Sequence, residues 1–365
     1  MIRLSRGNMM KKGIILFWIL AVGHFSIDAA SAEELSTLYR GIRPLGMGGA
    51  FITLSNDENA MFYNPAGLND VSGFGGVEIL NPTFEISENS KKLHQDLSDL
   101  ETDDAAAVTD FMSKRVGEHQ HVRVSLLPNF YMHNFAIGGL GQATLDMEIR
   151  NRANPVAVTD IRIDEGLLIS GAYGFLDNKL QVGATGKFVR RDGINHTYTV
   201  QEIAANRFDP LDQRFQKSDV AFDLGTKYNF SGPLKPNVAL VLQNITNLDF
   251  GSALGKIPQQ VNVGASINPD FWILKSTFAV EIDDLTKEVG DDKDLNKRTH
   301  LGAEFRFPKI LSLRAGVNNG KYFTAGFGLD LWILAVSYAT YAEELGAYSG
   351  QRSDRRHVFQ ASLGF

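Results

Sequence analysis

From residue 74 onward, apolar positions recur every second residue. Between 220 and 230, Val220, Phe222, Leu224, Tyr228 and Phe230 alternate with Ala221, Asp223, Gly225, Lys227 and Asn229. Between 299 and 307, Leu301, Ala303, Phe305 and Phe307 oppose His300, Gly302, Glu304 and Arg306. The same beat runs through 311–318 and 323–330, and through the last residues, where Phe359, Ala361, Leu363 and Phe365 alternate with Gln360, Ser362 and Gly364. A period of two places successive side chains on opposite faces of a strand. One face is fit for hydrocarbon; the other carries full charges of both signs.

The alternation divides into about fourteen strands, beginning near 74–87 and 120–132 and ending near 332–342 and 355–365. An even number suits a single-chain antiparallel barrel that crosses a membrane. The connections sort by parity. Those at 133–134, 176–178, 231–236, 269–270, 308–309 and 331 are short. Those at 88–119, 150–160, 193–217, 247–258, 284–297 and 343–354 are long, and only the turn near Gly320 breaks the rule. Short turns at one end and long loops at the other are the asymmetry of outer-membrane barrels. The fold class expected is all-β: a transmembrane antiparallel β-barrel of about fourteen strands, with an N-terminal plug. A soluble β-sandwich also alternates, and strand by strand the pattern does not separate the two.

Lys11 and Lys12, the apolar run from Gly13 to Val22 and Ala30-Ser31-Ala32 read as a secretory signal peptide over 1–32, cleaved after Ala32. The run is too short to span a bilayer of about 30 Å as a helix. The domains expected are therefore 1–32 signal peptide, 33–73 plug and 74–365 barrel. The chain is acidic, with net charge −6, and four of its cations lie in the leader. Without a basic cluster, nucleic acid is not the expected partner. The chain has no cysteine, so an exported form needs another stabiliser. A closed barrel with every backbone group paired supplies one.

Residues 33–72 do not alternate. Arg40-Gly41-Ile42-Arg43-Pro44-Leu45-Gly46-Met47-Gly48-Gly49-Ala50-Phe51 precedes an acidic pair at Asp57-Glu58 and then Tyr63-Asn64-Pro65-Ala66-Gly67-Leu68. Gly46, Gly48 and Gly49 permit close backbone approach. Asn64-Pro65 is a helix cap followed by proline at the first helical position. About 25 residues here resemble the N-terminal signature of the FadL-type superfamily, which comprises fatty-acid and hydrocarbon channels and PorV/PorQ-type proteins. That resemblance implies a fourteen-stranded barrel whose plug holds Asn64, Pro65 and Ala66, either as a movable closure or as a corner that seals the barrel. The final strand resembles the closing strand of outer-membrane barrels. Its terminal Phe365 would then be read by the barrel assembly machinery, and location would be the bacterial outer membrane with its lipid as partner.

Alternation points Lys187, Asp223, Lys227, Lys275, Glu281, Glu304, Arg306 and Arg314 into the lumen. There they are expected to pair across strands or with Arg40, Arg43, Asp57 and Glu58 of the plug, since unpaired buried charge is costly. No Gly-x-Ser-x-Gly occurs, so no enzyme is expected. His119 and His121 share a strand face but lack a third ligand nearby in sequence, and Asp283-Asp284 and Asp291-Asp292 lack the spacing of a calcium loop. They read as rim and solvated-loop residues, with no metal or cofactor. Residues 91–114 read as a helical insert over the outer mouth. The function expected is passive uptake of small hydrophobic molecules, fatty acids or hydrocarbons. The alternative is a PorV-like scaffold that binds secreted or surface proteins.

Overall fold

The computed structural model describes residues 34–96, 104–205, 214–290, 293–308 and 310–364. The expected leader, its cleavage site, Asp291-Asp292 and Phe365 lie outside them. Fourteen antiparallel strands form one closed wall. Each is hydrogen-bonded to its sequence neighbours, and the first closes on the last. They are β1 (Gly76–Leu80 and Thr83–Ser87), β2 (His119–Leu126 and Asn129–Met132), β3 (Phe135–Arg150), β4 (Val156–Phe175), β5 (Leu180–Thr199), β6 (Phe215–Asn229) and β7 (Asn237–Gln243). The circuit continues with β8 (Gln260–Ile267), β9 (Leu274–Ile282), β10 (Thr299–Arg306), β11 (Leu311–Asn318), β12 (Tyr322–Leu331), β13 (Leu334–Glu344) and β14 (Ser353–Gly364). β1 and β2 are interrupted at Pro82 and Pro128, which have no N–H to give to the ladder.

The two faces sort as the alternation requires. Phe188, Phe222, Leu224, Leu240, Leu301, Leu313 and Phe359 are exposed on the outside, whereas Lys187, Asp223, Glu281, Glu304 and Arg356 are buried inside. The apolar belt has a measurable height. On β4, Leu167, Ile169, Tyr173 and Phe175 face out and are exposed; the next outward residue above them is Glu165, 3.7 Å from Arg190 of β5. Residues 167–175 match the 9–11 residues a tilted strand needs to cross hydrocarbon.

Above that level the wall keeps rising. β4 and β5 have 20 residues each and β3 has 16. The connections expected at 150–160 and 193–217 are therefore shorter, because the strands run through Val156 and on to Thr199. Alternation persists there: Ile163, above Glu165, is still exposed, and higher up the outward side chains are covered by helices α3 (Ala105–Ser113) and α4 (Val200–Ala204). Val108, Met112, Ile149, Ala157, Tyr198 and Val200 form one buried cluster. The expected helical insert is in fact two helices, α2 (Glu88–Asp96) and α3. Among the described residues, no helix is long and apolar enough to cross a membrane.

Candidate functional site

The interior is built around residues 34–72. A five-residue helix, α1 (Ile42–Gly46), and short 3-10 turns at Glu58–Met61 and Pro65–Asp70 carry the chain between walls. Caps fix them: the Asp57 carboxylate accepts from Asn59 N, and Asn64 Oδ1 from Ala66 N at 3.0 Å. Asn64 Nδ2 also donates to Ile52 O and to Thr226 O of β6, so one side chain ties two parts of the segment to the wall. Close approach comes from glycine on both partners. Gly48 has φ +67, and a methyl group there would lie 2.5 Å from Leu301 O. On the wall side, a methyl group at Gly316 would meet Met47 and Gly48, and one at Gly225 would meet Asn64 Oδ1 at 2.0 Å. Gly46 lies against Arg314 and Gly326, and Gly49 against His300, whose Nδ1 is 2.7 Å from Gly48 O.

Ion pairs make the remaining ties. Glu304 accepts from Arg43 through both oxygens, at 2.9 and 2.7 Å, and from Arg314 at 2.9 Å; Arg306 lies 3.2 Å away. Glu281 accepts the backbone N–H groups of Phe51 and Ile52. Lys227 pairs with Asp70 of the segment. Lys187 and Asp223 pair with each other at 2.6 Å, and Lys187 reaches Asn244. Lys275 departs from its expected place: it stands where β9 begins, in register with Arg306, and is exposed at the rim instead of enclosed in the lumen. Asp284 departs the other way. It is buried, 3.0 Å from Arg298 Nε, and accepts from two backbone N–H groups.

Alternation alone did not single out a second ionic network at the opposite end of the segment. Arg356 of β14 binds Glu34 at 2.7 Å and Asp354 at 2.8 Å. Arg123 pairs with Glu85, which also accepts from Tyr341. Arg40 pairs with Glu343. His121 lies 2.6 Å from Asp146 and 3.2 Å from Glu85. His119 and His121 do share the inner face, but among the described residues no group is arranged to hold a metal. Burial by itself would raise the Glu34 carboxyl, yet Arg356 and Arg40 beside it bring it down to about 2. Glu58 goes the other way: burial, then the neighbouring Asp57 and Glu78 charges, hold it well above the usual carboxylate range.

Over this network lies a cavity of about 1040 Å³, lined by Arg162, Arg191 and Arg352 and by Asp146, Glu148 and Asp164 among others. Its size is that of a ligand site. A second cavity of only about 80 Å³ lies beyond it. Leu35, Thr37 and Arg40 line both, so residues 35–40 form the partition. One stripe of the inner wall is apolar: Leu140, Leu168, Val189 and Ala221 of β3–β6. It forms a single buried cluster with Leu38, Tyr39 and Phe62 of the segment and with Leu248, Phe250, Leu254 and Ile257 of the β7–β8 loop.

No family model matches the chain, and no curated protein matches it in sequence. Solved structures do. The toluene transporter TbuX of Ralstonia pickettii aligns at TM-score 0.51 and 13% identity, over 89% of this chain and 97% of that one. A deletion mutant of TodX, a monoaromatic hydrocarbon channel, aligns at TM-score 0.54 and 11% identity, over 89% and 98%. At these identities the likeness is one of architecture: the chain shares the β-barrel fold of that transporter and that channel, and its fourteen strands are the number that the resemblance to the FadL-type superfamily implied.

Proposed function

We propose that this chain is a bacterial outer-membrane channel for small hydrophobic molecules. They pass by diffusion, and residues 34–72 act as a plug that closes the lumen. The observation that carries the reading is the apolar stripe on the inner wall. Membrane barrels ordinarily have polar interiors. Here Leu140, Leu168 and Val189 lie one or two inward positions along their strands from the cavity-lining Gln142, Asp164 and Arg191, and they pack against side chains of the segment and of one loop. Such a stripe gives an apolar solute a surface to follow once Tyr39, Phe62, Phe250 and Leu254 give way. The shared architecture with a toluene transporter and a monoaromatic hydrocarbon channel supports the same solute class.

The test uses a reversible lock. The chain has no cysteine. A Cβ at Gly46 would stand 3.3 Å from Arg314 Cβ, close to the roughly 3.5–4.5 Å of a disulfide, with no backbone atom nearer than 3.5 Å among its closest contacts. In vesicles, reduced Gly46→Cys/Arg314→Cys protein is expected to admit acyl and aromatic probes, and oxidation to stop it. Failure of the reduced and the native protein to admit or bind any such probe overturns the reading. The tall β3–β5 hairpins with their two covering helices favour a second role, a scaffold for secreted or surface proteins. A stoichiometric partner recovered from native membranes, with no solute uptake, would establish it.

A further inference from the structure

Two hairpins at the short-turn end carry nearly the same pentapeptide, Asp270-Phe271-Trp272-Ile273-Leu274 and Asp330-Leu331-Trp332-Ile333-Leu334. In each the flanking residues pair, Phe271 with Leu274 and Leu331 with Leu334, leaving Trp-Ile as a two-residue loop. The tryptophans have φ of 56° and 69°. That is positive φ at the first loop position, where a type II′ hairpin takes glycine, and for so bulky a side chain it is an outlier. Both rings point away from the protein: Trp272 is 95% exposed and Trp332 93%. Leu176, with φ 54° and also exposed, repeats the arrangement with an aliphatic side chain at the turn after β4.

The height of the belt says where these rings lie. Its upper edge is at Glu165 and Arg190, and the nine residues 167–175 use up the hydrocarbon thickness, so the turn after Phe175 falls at its lower edge. The rim there stays apolar through Leu176, Leu234 and Ile310, continuous with the belt. The exposed Lys235–Asp270 pair sits beside Trp272, at headgroup level. We propose that Trp272 and Trp332 are membrane anchors. They seat the short-turn rim in the headgroup–acyl boundary of the near leaflet, so that these two turns do not project past the lipid. Indole suits that boundary because its body is apolar and its N–H can reach water or a headgroup. The inference rests on the membrane reading above.

The chain has three tryptophans, and Trp18 lies in the expected leader, so the processed protein reports from these two positions alone. Purified protein is reconstituted with phosphatidylcholine vesicles and floated on a density gradient. Its tryptophan emission is then compared in ordinary and dibrominated lipid, and with added iodide. The expected result is flotation, blue-shifted emission, loss of that emission in brominated lipid and little loss with iodide. Trp272→Phe and Trp332→Phe should each leave the remaining ring quenched. Flotation with emission that iodide quenches and bromine does not overturns the anchors and leaves the membrane reading intact. Blue-shifted emission that ignores bromine and depends on protein concentration assigns the rim to a second copy, and also overturns them. Failure to float overturns the membrane reading and the anchors together.

Discussion

Glu304 is the residue on which the segment's ionic attachment converges, since Arg43, Arg306 and Arg314 all face its two oxygens. Its side chain is 1% exposed. Removing one partner of a buried set leaves the others uncompensated, at a cost of about 3–5 kcal/mol. Glu304→Gln is expected to lower the unfolding temperature in detergent and to open the chain around Arg43 to trypsin. Adding Arg43→Gln should restore part of the loss, and strict additivity in the double-mutant cycle would show that the two do not act together. Gly48 makes a different point. An L side chain at φ +67 costs about 1–2 kcal/mol, and here it would also strike the backbone of β10 and β11. Gly48→Ala is expected to unseat the segment while the wall still forms, read as protease access to residues 41–50 without loss of the barrel's resistance to unfolding in detergent. The inward direction of Glu304 and Arg314 follows from alternation, because parity within a strand is local. Their convergence on Arg43 does not: Arg43 and Glu304 are 261 positions apart, and no local pattern sets that distance.

At the scale of elements, the informative piece is the β7–β8 loop. Its short ribbon, Leu248–Asp249 against Lys256–Ile257, holds Phe250 and Leu254 over the apolar stripe. Phe250 also lies under the Arg191 guanidinium, 4.4 Å from the ring centroid. Phe250→Ala removes a buried aromatic, a change that costs about 3–5 kcal/mol in a core. Here the void would join the large cavity. The variant is expected to admit apolar solutes faster into vesicles while small hydrophilic solutes are still excluded; unchanged flux would mean that the loop does not cover the route. From the sequence, residues 247–258 are a loop and nothing more, since their burial depends on side chains of four separate strands, as far back as Leu140. The strands run past their expected ends for a related reason. Near the tops of β3–β5 the outward apolar residues Ile149, Ala157 and Tyr198 meet a packed helix instead of an open surface, and both produce the same pattern.

For the whole molecule, wall and segment are two structures held by different forces. The wall is a closed ladder of backbone hydrogen bonds, insensitive to pH. The segment is held by buried apolar contacts and by ion pairs, and only the ion pairs respond to pH. The Glu34 carboxyl, at about 2 when folded against 4.5 ordinarily, favours the seated state. A lowered folded value means that this contribution is complete above the ordinary 4.5 and is lost as pH falls toward 2. Acidification through that window is expected to free the first residues of the segment from Arg356 and Arg40 while the barrel stays assembled. Cleavage near Glu34 by an acid-active protease, with unchanged β-sheet circular dichroism, would show it. Glu34→Gln should lose the pH dependence; retention of it would assign the transition to another group.

The sequence alone determined the two-faced wall, its strand number and the inward set Lys187, Asp223, Lys227, Glu281, Glu304 and Arg314. Each of these depends only on a period of two, and a strand's neighbours in space are its neighbours in sequence. Tertiary structure decided what fills the wall: the pairing of Glu34 with Arg356, the apolar stripe beneath Phe250 and the partition at residues 35–40. The physical reason is that closing a barrel brings distant residues of several strands within a side chain's reach of the segment. Which of them then meet is set by shape and charge in three dimensions, and no local pattern records it.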